Sequence, residues 1–115
     1  MISKVKNIIN YEDFDSIDIR IGTIISAVHF KNAIKPAYQL LIDFGSLGEL
    51  KSSAQITELY LPEKLIGKQI VAAINIGQIK ISNFTSQCLV LGVSSSKGVS
   101  LLEPNLKIQN GSLVV

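Results

Sequence analysis

Lys51-Ser52-Ser53-Ala54-Gln55-Ile56 decides how the rest of the chain is read. Period-two alternation puts Lys51, Ser53 and Gln55 on one face of an extended strand and Ser52, Ala54 and Ile56 on the other. Just upstream, Gly45-Ser46-Leu47-Gly48 is a turn, so Leu50 to Ile56 returns as a third strand in a hairpin with a second strand over Tyr38 to Phe44. Just downstream, Pro62-Glu63-Lys64-Leu65-Ile66-Gly67 predicts a helical turn, with Pro at its first position and Gly as its stop. Gln69 to Ile76 is nearly all apolar and reads as a fourth strand buried on both faces.

Farther out, Ile17-Asp18-Ile19-Arg20-Ile21 alternates strictly and predicts a half-buried first strand running on to Phe30. Gly22 interrupts it, as a bulge or a coiled bend would. Pro36 ends the connection to the second strand. Gln87 to Val93 and Val99 to Leu102 predict further strands, and Asn110-Gly111 a turn before Val114 and Val115. About six short strands with a helical turn between the third and fourth are the layout of an all-β, OB-type Greek-key barrel. In the first ten residues Ile2, Val5, Ile8 and Ile9 recur at helical spacing, which predicts an amphipathic turn docked on the domain or on a partner chain. Asp13 or Asp15 is the expected cap of a short helical turn ahead of the first strand. The division expected is therefore an extension over 1–12, at a subunit interface, and one domain over 13–115.

Composition narrows the function. Eleven Lys and Arg against nine Asp and Glu give a net charge of +2, too little for binding nucleic acid by charge alone. Glu12, Asp13, Asp15 and Asp18 crowd the N-terminal part, so the remainder is basic and an anion site would be local. Charged residues make up 17% of the chain, against about a quarter in a typical soluble domain, and hydrophobic residues 47%. So few charges predict that some apolar surface is buried against a second subunit. The single cysteine, Cys88, lies in Gln87-Cys88-Leu89-Val90-Leu91 and is expected to be a buried, small apolar residue. Met1 to Asn10 lacks the apolar run of a signal peptide, and no segment reaches the length of a membrane span. A cytoplasmic chain with no membrane insertion is expected.

Catalytic chemistry is poorly represented. His29, the sole histidine, sits between Val28 and Phe30 with no nucleophile motif around it. The carboxylates have no metal-site spacing, and no Gly-rich phosphate loop occurs. No enzyme activity, metal or cofactor is expected. Binding chemistry is better represented, in three polar clusters. The first is the Lys51 to Gln55 face. The second is Gln78 and Lys80, within a predicted loop that also holds Asn75, Gly77, Ser82 and Asn83. The third is Ser86-Gln87, at the entry to a buried strand. Each has an ordinary solvated explanation on its own. Their ammonium, hydroxyl and amide groups suit phosphate, ribose and base edges. With no Trp and only four Phe and three Tyr, a stacking platform for unpaired bases is not expected.

Taken together, Asp18-Ile19-Arg20-Ile21-Gly22-Thr23-Ile24, Lys51-Ser52-Ser53-Ala54-Gln55-Ile56-Thr57 and Ser86-Gln87-Cys88-Leu89-Val90-Leu91-Gly92 resemble the three signature blocks of the tRNA-binding OB-fold family. Within it, Pro36-Ala37-Tyr38-Gln39-Leu40-Leu41-Ile42-Asp43-Phe44-Gly45 and Tyr60-Leu61-Pro62-Glu63 are most similar to the CsaA-type members. The resemblance implies a homodimer, structure-specific tRNA binding and, for that branch, a chaperone role with unfolded preproteins and the export machinery. That chaperone reading places the preprotein segment in an apolar groove at the dimer interface. It also implies a tRNA site at Arg20, Lys51, Ser52, Ser53, Gln55, Ser86 and Gln87, with Gln78 and Lys80 beside it. Two positions depart from the CsaA pattern. Gln87 stands where a glutamate is common, and only Lys80 is charged where paired arginines are usual.

Overall fold

The computed structural model describes residues 4–115. Its first element is a short helix, α1 (Tyr11–Asp15), followed by the long strand β1 (Ile19–His29). Next come β2 (Tyr38–Asp43), β3 (Glu49–Ala54), a second short helix α2 (Pro62–Leu65) and β4 (Gln69–Ala73). A small hairpin, β5 (Ile79–Ile81) and β6 (Phe84–Ser86), precedes β7 (Leu89–Val90), and a second hairpin pairs β8 (Gly92–Ser95) with β9 (Gly98–Leu101). Five strands form one antiparallel sheet in the order β3-β2-β1-β4-β7, curled into the expected OB-fold barrel.

Sequence explains the curl. β1 is long enough to pair with β4 through Ile19 to Thr23 and with β2 through Thr23 to His29, so one strand serves both walls. A bulge at Ile24 to Ser26 turns it from one partner to the other. Gly22 is not the bulge. A Cβ there would stand 2.7 Å from Ile42 Cγ2 and from Phe44 Cε1, so this glycine lets the opposite wall close onto β1. Ile24, Leu40, Ile42, Phe44, Leu65 and Ile70 fill the interior, Leu65 being the buried residue of α2. Cys88 belongs to the same core and is a free, buried thiol.

Several expectations are corrected. Residues 4–10 form no helix, and Val5, Ile8 and Ile9 are exposed; Ile2 lies outside the described residues. Asp13 and Asp15 do not cap α1: both lie within it, and Asn10 holds the cap position. The fourth strand ends at Ala73, and Ile76 is half exposed. The expected strand from Gln87 to Val93 is split at Leu91. Lys80 is not in an irregular loop, because it lies on β5, paired with Thr85, whereas Gln78 is in the connection just before that strand.

Candidate nucleic-acid interface

The candidate site lies on the outer face of β3. Lys51, Ser53 and the following Gln55 face outward, whereas Ser52, Ala54 and Ile56 are buried. The interior pull of the core therefore fixes which polar groups reach solvent. On the outer face, Lys51 pairs with Leu41 and Ser53 with Gln39, and these oppose Ser26 and Val28 of β1. Phe84 of β6 overhangs this surface, with the Lys51 ammonium 5.5 Å from its ring centre. That contact orients the ammonium and leaves it unneutralised. Two ion pairs occur among the described residues, Arg20–Asp18 and Lys68–Glu103, and neither involves Lys51 or Lys80.

Ser86 and Gln87 close the barrel against that same edge. The Gln87 N–H donates to the Lys51 carbonyl at 2.7 Å, and Gln87 Oε1 accepts the Lys51 N–H at 2.9 Å. Ser86 Oγ accepts the Ser53 N–H at 3.1 Å. Ser52 completes the seam from inside by donating its hydroxyl to the Cys88 carbonyl at 2.9 Å. At 1% exposure its side chain offers nothing at the surface. Burial pushes the Cys88 thiol up from its ordinary value of 9.0 to about 11, with the Ser52 hydrogen bond pulling the other way.

Arg20 stands apart from this cluster. It is beside β4, its guanidinium bonds Asp18 Oδ1 at 2.6 Å and the Gly111 carbonyl at 3.0 Å, and its strand position bridges to Leu113. Its visible work is to fasten the C-terminal segment to β1, helped by Gly111 N–H on the Ile21 carbonyl and Val114 N–H on the Ile19 carbonyl. The structure thus brings Lys51, Ser53, Gln55, Ser86 and Gln87 together, sets Lys80 and Gln78 on the neighbouring hairpin, and holds Arg20 and Ser52 in other roles.

One cation was missed in the sequence. Lys35, in the β1–β2 connection, lines a cleft with Ser53, Gln55 and Ile81, and a second cleft with Gln55 and Ser94 to Ser96. The two clefts share Lys35 and Gln55, so they adjoin past the end of β3. OB barrels bind oligonucleotides on the face of these strands and between these loops, which was the available signal. His29 packs edge-on against Tyr38, ring centres 5.1 Å apart, at the far end of β1. Among the described residues no group of three His, Cys, Asp or Glu could hold a metal ion. No helix among them is long and apolar enough to cross a membrane.

The family described as "Putative tRNA binding domain" matches residues 19–113. A crystal structure of the chaperone CsaA from Bacillus anthracis is 48% identical and superposes with a TM-score of 0.89, covering 95% of this chain and all of that one. The CsaA chaperone protein of Picrophilus torridus is 46% identical with a TM-score of 0.90, covering 94% of this chain and all of its own. Among curated sequences, the methionine–tRNA ligase of Methanococcoides burtonii is 34% identical over 110 residues, which is 95% of this chain and 16% of the ligase. The chain therefore spans about one sixth of the length of that synthetase.

Proposed function

The chain belongs to the tRNA-binding domain family, and on that premise we propose that it is a homodimeric, non-catalytic tRNA-binding protein of the CsaA type. The observation that carries this reading is the unneutralised Lys51 ammonium on the outer face of β3, flanked by Ser53 and Gln55. Lys51 takes a backbone phosphate, Ser53 and Gln55 bond ribose or base edges, and Lys35 and Lys80 extend the positive groove along the adjoining loops. Gln87 and Ser86 hold the β3 edge in place for that contact. Homodimerisation would add a second such groove, which offsets a net charge of only +2. The exposed Val5, Ile8, Tyr11 and Phe14, with Leu106 and Leu113, supply apolar surface for the second subunit. Residues 1–12 are in this reading an extension that joins the interface, and 13–115 the binding domain.

A filter-binding titration against tRNA over a range of salt tests this. A steep log–log dependence is expected, with the slope reduced by about one in Lys51→Ala. Unchanged slope and affinity in that variant would remove Lys51 from the site.

A second reading is an export-related chaperone that binds unfolded preprotein segments. It is favoured by the exposed Tyr11, Phe14, Ile17 and Leu113, which border a cleft of about 430 Å³ that Asp15, Asp18, Arg20 and Asn75 also line. Suppression of aggregation of a denatured protein, undiminished by salt or competing tRNA, would support separate sites and this second activity.

A further inference from the structure

Lys64, Lys68 and Lys107 converge on an open cleft of about 630 Å³ between the end of α2, the start of β4 and the segment after β9. It shares no lining residue with the cleft beside Lys51 or with the cleft beside Ser53 and Gln55. We infer that this cleft is a second contact for nucleic-acid phosphate, a part of the tRNA footprint outside the β3 face. The inference rests on the tRNA-binding reading and extends it.

Charge is the first ground. The cleft holds three ammonium groups and one carboxylate, Glu103, an excess of two that equals the net charge of the whole chain. Glu103 pairs with Lys68 at 3.2 Å, and the Lys68 ammonium also lies 6.0 Å from the Tyr60 ring centre. Lys68 thus has structural partners, whereas Lys64 and Lys107 are exposed and belong to neither ion pair found among the described residues.

Placement is the second. Lys107 is on an irregular segment, yet the backbone beside it is fixed: Ile108 N–H donates to Gln69 Oε1 at 3.0 Å, and Gln69 Nε2 donates back to the Ile108 carbonyl. Gln69 Nε2 also reaches Asn110 Oδ1 at 3.0 Å, which Thr23 holds with its hydroxyl at 2.8 Å. The segment bearing Lys107 is therefore preset against β4 before any ligand arrives. Thr23 borders this cleft and Ser26 borders the Lys51 groove, three positions apart on β1 or about 10 Å, so one folded RNA can touch both. Exposed ammonium groups on an open surface suit a polyanion backbone, which needs point charges rather than an enclosed pocket.

The test is the salt dependence of tRNA binding by the intact chain. Lys64→Ala/Lys107→Ala should lower the log–log slope by about two, with an unchanged thermal midpoint. Glu103→Gln removes the competing carboxylate and should tighten tRNA binding about two- to fivefold. A double variant with the wild-type slope, together with a Glu103→Gln variant no tighter than wild type, overturns the inference. If Lys51→Ala still lowers the slope in that case, the proposed function stands and only this second contact falls. Wild-type protein that fails to bind tRNA at all removes both.

Discussion

Lys51 and Gln87 are joined twice, by the Gln87 N–H on the Lys51 carbonyl and by the Lys51 N–H on Gln87 Oε1. The glutamine side chain acts as the missing backbone acceptor of a neighbouring strand. It thereby joins the β3 edge to the entry of β7 and links the two ends of the sheet, which no strand ladder pairs among the described residues. The same bond fixes the strand position from which the Lys51 ammonium projects.

Gln87→Ala should therefore lower stability by about 1 kcal/mol, the ordinary net value of such a bond, and weaken tRNA binding through a loosened β3 edge. Gln87→Glu keeps an acceptor for the Lys51 N–H, so its denaturation midpoint should stay close to wild type. Its added negative charge beside Lys51 should nevertheless weaken tRNA binding several-fold at low salt, where electrostatics are least screened. Paired denaturation and binding measurements separate the two effects; a Gln87→Glu variant that binds as well as wild type would contradict the second.

Ser52→Ala tests the division between inner and outer faces. It removes the hydroxyl that bonds the Cys88 carbonyl and should cost about 1 kcal/mol, since only the longer Ser86 contact at 3.4 Å remains to that oxygen. Below the unfolding transition its tRNA affinity should equal wild type. A large affinity loss without instability would place Ser52 at the RNA.

Cys88 gives a pH dependence whose sign is fixed. Its folded value, raised to about 11 from 9.0, means that the native state keeps its thiol proton where the unfolded chain has lost it. The associated stability is complete below pH 9 and falls as pH rises through 11. Its size is on the order of 2 kcal/mol. Thermal midpoints of wild type and Cys88→Ala from pH 8 to 11 isolate it from the other groups of the chain: the difference should shift with pH in favour of the variant. The native thiol should also resist alkylation at pH 8 until the protein unfolds.

Gly22→Ala should destabilise by about 1–3 kcal/mol, because the new methyl group meets Ile42 and Phe44 inside a filled core. Chemical denaturation measures it, and a stability equal to wild type would show that the opposite wall yields at no cost.

Much of this was legible in the sequence, for physical reasons. Strict alternation at Ile17 to Ile21 and Lys51 to Ile56 marks half-buried strands, and Pro62 with Gly67 brackets a helical turn; all three were found near their expected places. The β5–β6 hairpin was not legible, because its strands are three residues long and its turn has Ser82 at φ 56°, where glycine usually advertises such a bend. The apolar spacing of Val5, Ile8 and Ile9 mimicked a helix that residues 4–10 do not form. At the site, alternation correctly separated Lys51, Ser53 and Gln55 from Ser52. It could not reveal that the Arg20 donors are directed to Asp18 and the C-terminal segment, since those partners meet only after the chain folds back on β1.

Lysine footprinting in the presence of tRNA tests the central claim most directly. Amine modification is read residue by residue by mass spectrometry, with and without saturating tRNA at physiological salt. Lys35, Lys51 and Lys80 should be protected, with Lys51 protected most strongly and protection lost as salt is raised. Unchanged reactivity of Lys51 and Lys80 under saturating tRNA, with protection confined to other lysines, would contradict the assignment of the β3 face as the tRNA site.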